Sequence, residues 1–277
     1  MHRSIAFLLA LALALATRAS PAEATTLRVC AEPDNLPLSS ASEAGFENRI
    51  ARLLADELGA RLVYVWREQR RGFVRKTFGA DVCDVWIGVP AGDERLLTTR
   101  PYYRSRYVFV NRADAREPLT SFGDARLATL RIGVQLIGSD LAATPPAIAL
   151  ARAGALDGVV GYPVYGDGSA AARISADLAA GRLDAALVWG PQAGWFTDHA
   201  ALPLVVAPAL APPGFALPFE FAIAVGVKKG DDGLKRALDD ALARRAADID
   251  AILDAYRVPR VGTTLGAVAP LHEERPR

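Results

Sequence analysis

Apolar runs of two periods alternate along the first part of the chain. Leu27 to Ala31 is a short continuous run that predicts a strand, followed by a loop rich in Pro, Asn and Ser from Glu32 to Ser42. From Gly45 to Gly59 the period changes: Phe46, Ile50, Leu53, Leu54 and Leu58 fall three or four apart, one face of a helix that Gly59 stops. Leu62 to Trp66 predicts a second strand, Phe73 to Phe78 a short helix, and Val82 to Val89, with its Val, Trp and Ile, a buried third strand. Strand, helix, strand, helix, strand in this order predicts a parallel sheet.

After an apolar run at Tyr107 to Val110 the stretch Asn111 to Asp124 turns polar, and it reads as a crossing between domains. The alternation then restarts. Strands are expected at Leu130 to Gln135, Val159 to Tyr165 and Ala185 to Trp189, with helices at Pro146 to Ala153 and Ala172 to Ala180 between them. Leu204 to Ala209 extends this second unit and Ala211-Pro-Pro-Gly214 breaks it. Phe219 to Val227 is one more strand before a long helix from about Asp231 to Tyr256. The two runs predict an α/β fold of two lobes joined by two crossing segments, residues 25–112 with 215–260 in one, 113–214 in the other, and a loose tail over 261–277.

Composition narrows the class. With 51% hydrophobic and 23% charged residues, disordered and low-complexity readings fail, and 32 Lys plus Arg against 31 Asp plus Glu supplies no field to hold a nucleic-acid backbone. At the start, Arg3, an apolar stretch from Ile5 to Ala16 and Ala22-Glu23-Ala24 have the form of a secretory signal cleaved after Ala24. No later stretch is long enough to span a membrane. Export makes a disulfide the natural use of Cys30 and Cys83, provided their strands bring the Cα atoms within about 7 Å; otherwise they are two buried thiols. His199 and His272 fall in no ligand pattern with them, so no metal or cofactor is expected, and the acids Asp239, Asp240, Asp248, Asp250 and Asp254 read as a solvated helix face.

The stretches Leu27-Arg-Val-Cys-Ala-Glu-Pro-Asp34, Gly45-Phe-Glu47, Asp81 to Gly88, Pro101 to Val110, Arg131-Ile-Gly-Val-Gln135, Ala179 to Asp184 and Phe221 to Gly226 occur in this order. Together they resemble the bacterial periplasmic solute-binding proteins of family 3, the two-lobed type II fold whose members bind amino acids. A narrower set, Gln69 to Arg75, Trp86 to Gly92, Leu97 to Arg104, Val134 to Gly138 and Val188 to Pro191, resembles the binding-protein-like partners of PQQ-dependent methanol dehydrogenases, the MoxJ and XoxJ group. That resemblance implies a partner in the periplasm, a PQQ-dependent alcohol dehydrogenase alone or with its cytochrome c. It implies no catalysis, and no Ser-His-Asp or Cys-His grouping argues otherwise. The alternative is a receptor that delivers a small solute to an ABC importer.

In such a sheet the ligand crevice lies beyond the carboxyl ends of the strands. The cleft candidates are therefore Asp34 and Asn35 after the first strand, Arg71 after the second, Pro90 and Arg95 after the third, and Ser139, Asp140 and Trp189 in the second lobe. By resemblance, Arg95 or Arg100 stands where amino-acid receptors hold the substrate carboxylate, and Ser139 where they open a helix toward it, unless it is a plain helix cap. Trp189 stands where they carry an Asp for the substrate ammonium. An indole offers one N–H and a π face, not a charge, so a standard α-amino acid is not the expected ligand. The basic run around Arg70, Arg71 and Arg75 is either a solvated rim or a docking patch for an acidic protein.

Overall fold

A computed structural model describes residues 25–70, 72–137, 142–164, 168–261 and 267–268; the expected signal, 1–24, lies outside them. The first lobe opens with β1 (Thr26–Ala31), α1 (Phe46–Glu57), β2 (Arg61–Trp66), α2 (Phe73–Thr77) and β3 (Val85–Pro90), with β1 paired in parallel to both β2 and β3. The helical periodicity does what its spacing requires. Phe46, Ile50 and Leu54 are fully buried on the inner face of α1, each contributing about 1.5–3 kcal/mol over an exposed position. The register that sets Val29 opposite Val85 also brings Cys30 and Cys83 to a Cα separation of 5.6 Å, and the two are disulfide-bonded.

The chain continues through β4 (Tyr103–Arg112), β5 (Ile132–Ile137), α3 (Pro145–Arg152), β6 (Val159–Pro163), α4 (Ala170–Ala179), β7 (Ala185–Trp189), α5 (Gly190–His199) and β8 (Leu204–Pro208). It ends with β9 (Glu220–Val227), α6 (Asp232–Arg244) and α7 (Ala246–Ala255). One strand path orders the sheet β6-β5-β7-β4-β9-β3-β1-β2, and β4 belongs to both lobes. Its first residues pair with β9, Tyr103 opposite Ile223 and Arg106 opposite Glu220. From Tyr107 onward it pairs with β7 and β8 instead. Ala209 and Phe219 meet it at the changeover, Ala209 N donating to Tyr107 O at 3.0 Å and Tyr107 N to Phe219 O at 2.9 Å.

The lobes keep separate cores. Phe46, Ile50, Leu54, Val85, Ile87, Val225, Leu238 and Leu253 fill the first. The second has one cluster on each face of its sheet, around Phe109, Leu127, Ile132 and Leu150, and around Val108, Ile174, Leu178 and Val188.

Three expectations change. The crossing is β4 itself, not the polar stretch after it: Asn111 bonds the Leu119 backbone through both ends of its amide (2.8 and 3.0 Å), and Leu119 and Phe122 are buried in the second lobe. The long C-terminal helix is divided at Arg245, whose φ of −102° and ψ of 18° leave the α region. Helix α5 went unforeseen because Gly190, Pro191 and Gly194 read as breakers; Pro191 is tolerated in a first turn, where its missing N–H has no partner to lose.

Candidate functional site

The carboxyl end of β1 delivers Glu32, Pro33, Asp34 and Asn35 to the crevice. Glu32 is 1% exposed and its Oε2 accepts Gln69 N at 2.5 Å, tying the basic loop after β2 to β1. Burial pushes this carboxyl up to about 7, against the opposing hydrogen bond from Gln69. Asn35 is buried with its Oδ1 unpartnered among the described residues. A second buried acid, Glu47, comes from the first turn of α1 and lies against Gly88 of β3. Gly88 has φ of +82°, which favours glycine, and a Cβ there would stand 2.0 Å from Glu47 Oε1 and would have to displace that carboxyl. Burial pushes Glu47 up to about 8.

The loop after β1 touches the other lobe directly. Asp34 Oδ2 accepts Gly168 N at 2.8 Å, and Ser169 Oγ donates to Leu36 O at 2.9 Å. Ser169 is the N-cap of α4, accepting from Ala172 N at 3.3 Å, so a carboxylate and a carbonyl of the first lobe meet the positive end of a helix in the second.

Trp189 closes the hinge side. Paired with Tyr107 across β7 and β4, its ring lies 5.3 Å from that of Tyr107 and 5.7 Å from Phe221, and it packs against the cores of both lobes. Nearby Tyr103 is held well above the usual tyrosine range by burial, against a hydrogen bond from Trp189. These edge-to-face contacts suit a wedge between rigid bodies.

The basic candidates are drawn off by acids. Arg95 folds onto Asp93, Nε to Oδ1 at 2.9 Å and Nη2 to Oδ2 at 2.5 Å, which holds the Asp93 carboxyl below its ordinary value. Arg100 lies on α6, its backbone N donating to Asp239 Oδ1 at 2.6 Å. Arg70 pairs with Glu68 at 2.5 Å; Arg75 is exposed in the last turn of α2, and Pro90 is exposed at the end of β3. Arg71, Ser139 and Asp140 lie outside the described residues. The structure thus brings together Asp34 and Asn35 at the crevice and puts Trp189 at the hinge.

Sequence reasoning missed Glu32, Glu47, Gly168 and Ser169. A Ser directly before an apolar helical run was a legible cap signal; burial of the two acids had none. Among the described residues no group of three or more His, Cys, Asp or Glu could hold a metal ion, and no helix is long and apolar enough to cross a membrane. A groove of about 640 Å³ lined by Phe122, Arg152, Leu210 and Phe215 shares no residue with the cross-lobe contacts.

No protein-family model matches the chain. It is 37% identical over 265 residues to Protein MoxJ of Paracoccus denitrificans, covering 90% of this chain and 94% of that one. The crystal structure of periplasmic binding protein XoxJ from Methylobacterium extorquens AM1 superposes with a TM-score of 0.68 at 38% identity, covering 85% of this chain and 99% of that one. MxaJ from Methlophaga aminisulfidivorans MPT gives a TM-score of 0.73 at 25% identity, covering 85% of this chain and 100% of that chain.

Proposed function

The chain belongs to the MoxJ group of two-lobed periplasmic binding proteins, and on that premise we propose that it is a non-catalytic periplasmic accessory protein that binds, or helps mature, a PQQ-dependent methanol or alcohol dehydrogenase, alone or with its cytochrome c. The observation that carries this reading is the crevice joined by the protein's own groups. Asp34 and Ser169 link the lobes at its mouth and Trp189 wedges its hinge side, where a receptor would use a ligand to hold the closed state. Export by the expected 1–24 signal accords with such a partner, and the lobes divide within β4 at Tyr107 rather than after Arg112. The exposed Arg75, with Arg70 and Arg71, is the proposed docking edge.

Binding to the purified cognate dehydrogenase across a salt series tests this. Exposed charges act over about 8 Å at physiological ionic strength, so association slows as salt rises and slows further with Arg71→Glu and Arg75→Glu. Absence of binding at any salt overturns the proposal.

A second reading, a solute receptor for an ABC importer, draws on the unpartnered Oδ1 of buried Asn35, which a ligand donor could satisfy. Its ligand is not a common amino acid. A receptor ligand at 100 times its Kd adds about 2.7 kcal/mol, so a clear rise in Tm with any standard amino acid refutes the argument from Trp189.

A further inference from the structure

The segment after α7 does not end on the first lobe. Tyr256 is anchored there: its ring lies 5.8 Å from Phe46, the Arg49 guanidinium sits 5.2 Å above it, and its hydroxyl donates to Ala44 O at 2.6 Å. The chain then turns to the second lobe. The carbonyls of Tyr256 and Arg257 press on Gly194 of α5 so closely that a Cβ there would stand 2.0 and 2.9 Å from their oxygens. One turn earlier on the same helix, a Cβ at Gly190 would meet Arg106 O at 2.5 Å. Pro259 O accepts Ser105 Oγ at 2.5 Å and Val261 N donates to Arg104 O at 2.9 Å, alongside β4 just before it changes lobe. Arg260 pairs with Asp250 and Asp254, holding this stretch to α7. Ala267–Val268 finally pair with Val205 and Leu204 of β8, in the second lobe.

We infer that residues 256–261 are a third link between the lobes, a strap that limits how far they open about β4. With two crossing segments alone, opening needs only dihedral changes at a few residues. Here it must also part the 256–257 backbone from α5. The restraint lies in that packing. Glycine at 194 is what lets the two backbones meet. The strap acts whatever the crevice or the surface binds, so it stands apart from the dehydrogenase reading.

The test uses the full chain carrying Asp56→Cys on α1 and Ala176→Cys on α4, both exposed and in different lobes. The native cysteines are bonded and buried and take no label. Pulsed electron paramagnetic resonance between spin labels at the two sites should give one narrow distance distribution. Gly194→Val should broaden it and move it to longer distance by more than about 2 Å, the scale of a lobe rearrangement. Should Gly194→Val not fold, the milder Ser105→Ala, Arg260→Ala pair decides, with a smaller shift in the same direction expected. Distributions that superpose on the parent in the folded variants overturn the strap. The measurement involves no partner, so its failure is separate from that of dehydrogenase binding.

Discussion

Replacing Glu47 by Gln should flatten the fall in stability from acid to alkaline pH. Glu47 is 6% exposed, and burial pushes its carboxyl from 4.5 to about 8. Its place in the first turn of α1 favours the charged form by only about 0.3–1 kcal/mol, whereas a displacement of this size amounts to about 5 kcal/mol at about 1.4 kcal/mol per unit, so desolvation wins and the folded protein keeps the proton at neutral pH. The unfolded chain releases it above its ordinary pKa. The folded state therefore binds the proton more tightly, and the stabilising contribution of the neutral form, complete below about 4.5, is lost as pH rises and levels off above about 8. Between about pH 5 and about pH 9 the loss from this group is about 4 kcal/mol.

Glutamine keeps the shape and removes the titration. Its amide has its own burial cost of about 1–3 kcal/mol, but that cost does not change with pH. The observable is thus the slope of unfolding free energy against pH, from urea denaturation of wild type and Glu47→Gln. Glu32, pushed up to about 7, titrates in both proteins and cancels in the difference. Parallel curves from about pH 5 to about pH 9 would refute the assignment of a neutral, buried Glu47.

Breaking the bond between Cys30 and Cys83, 53 residues apart, with a double Ser replacement should cost about 4 kcal/mol through the entropy of the unfolded chain, read by urea denaturation. Thiol counting on denatured, unreduced protein should find no free cysteine. Asp34→Ala removes a partly exposed, charge-assisted bond between lobes worth about 1 kcal/mol, so the open population should rise about fivefold, seen as a second, longer component between spin labels at positions 56 and 176. An unchanged distribution would show that Asp34 does not hold the lobes.

Much of the fold was legible because it rests on local period. Helical spacing from Phe46 to Leu58 and the apolar runs of the strands call for the alternation of elements whatever surrounds them, and Ala185–Trp189 begins and ends where its pattern does. Elements whose form answers to a distant partner were not legible. Gly190 and Gly194 break a helix by propensity, yet in α5 their missing side chains admit the backbone of Arg106 and of residues 256–257 against it. The hinge was placed one segment late because a strand that serves two lobes carries no mark of where it changes partner; pairing with β9, β7 and β8 decides that.

The site divides along the same line. The sequence by itself determined which residue types stand at these places: the polar turn after β1, the indole at the end of β7, and the pair of cysteines. Only the tertiary structure decided what those groups do. Arg95, a free guanidinium group on paper, is drawn onto the Asp93 carboxylate, and Arg100 donates from its guanidinium to the Asp239 carbonyl; Asp34 meets a helix start 134 residues away; and Glu47, an ordinary acid of a helix first turn, becomes a neutral group beneath Gly88. The reason is physical. Period and propensity act between neighbours along the chain, whereas desolvation and ion pairing depend on which surfaces the folded chain brings together.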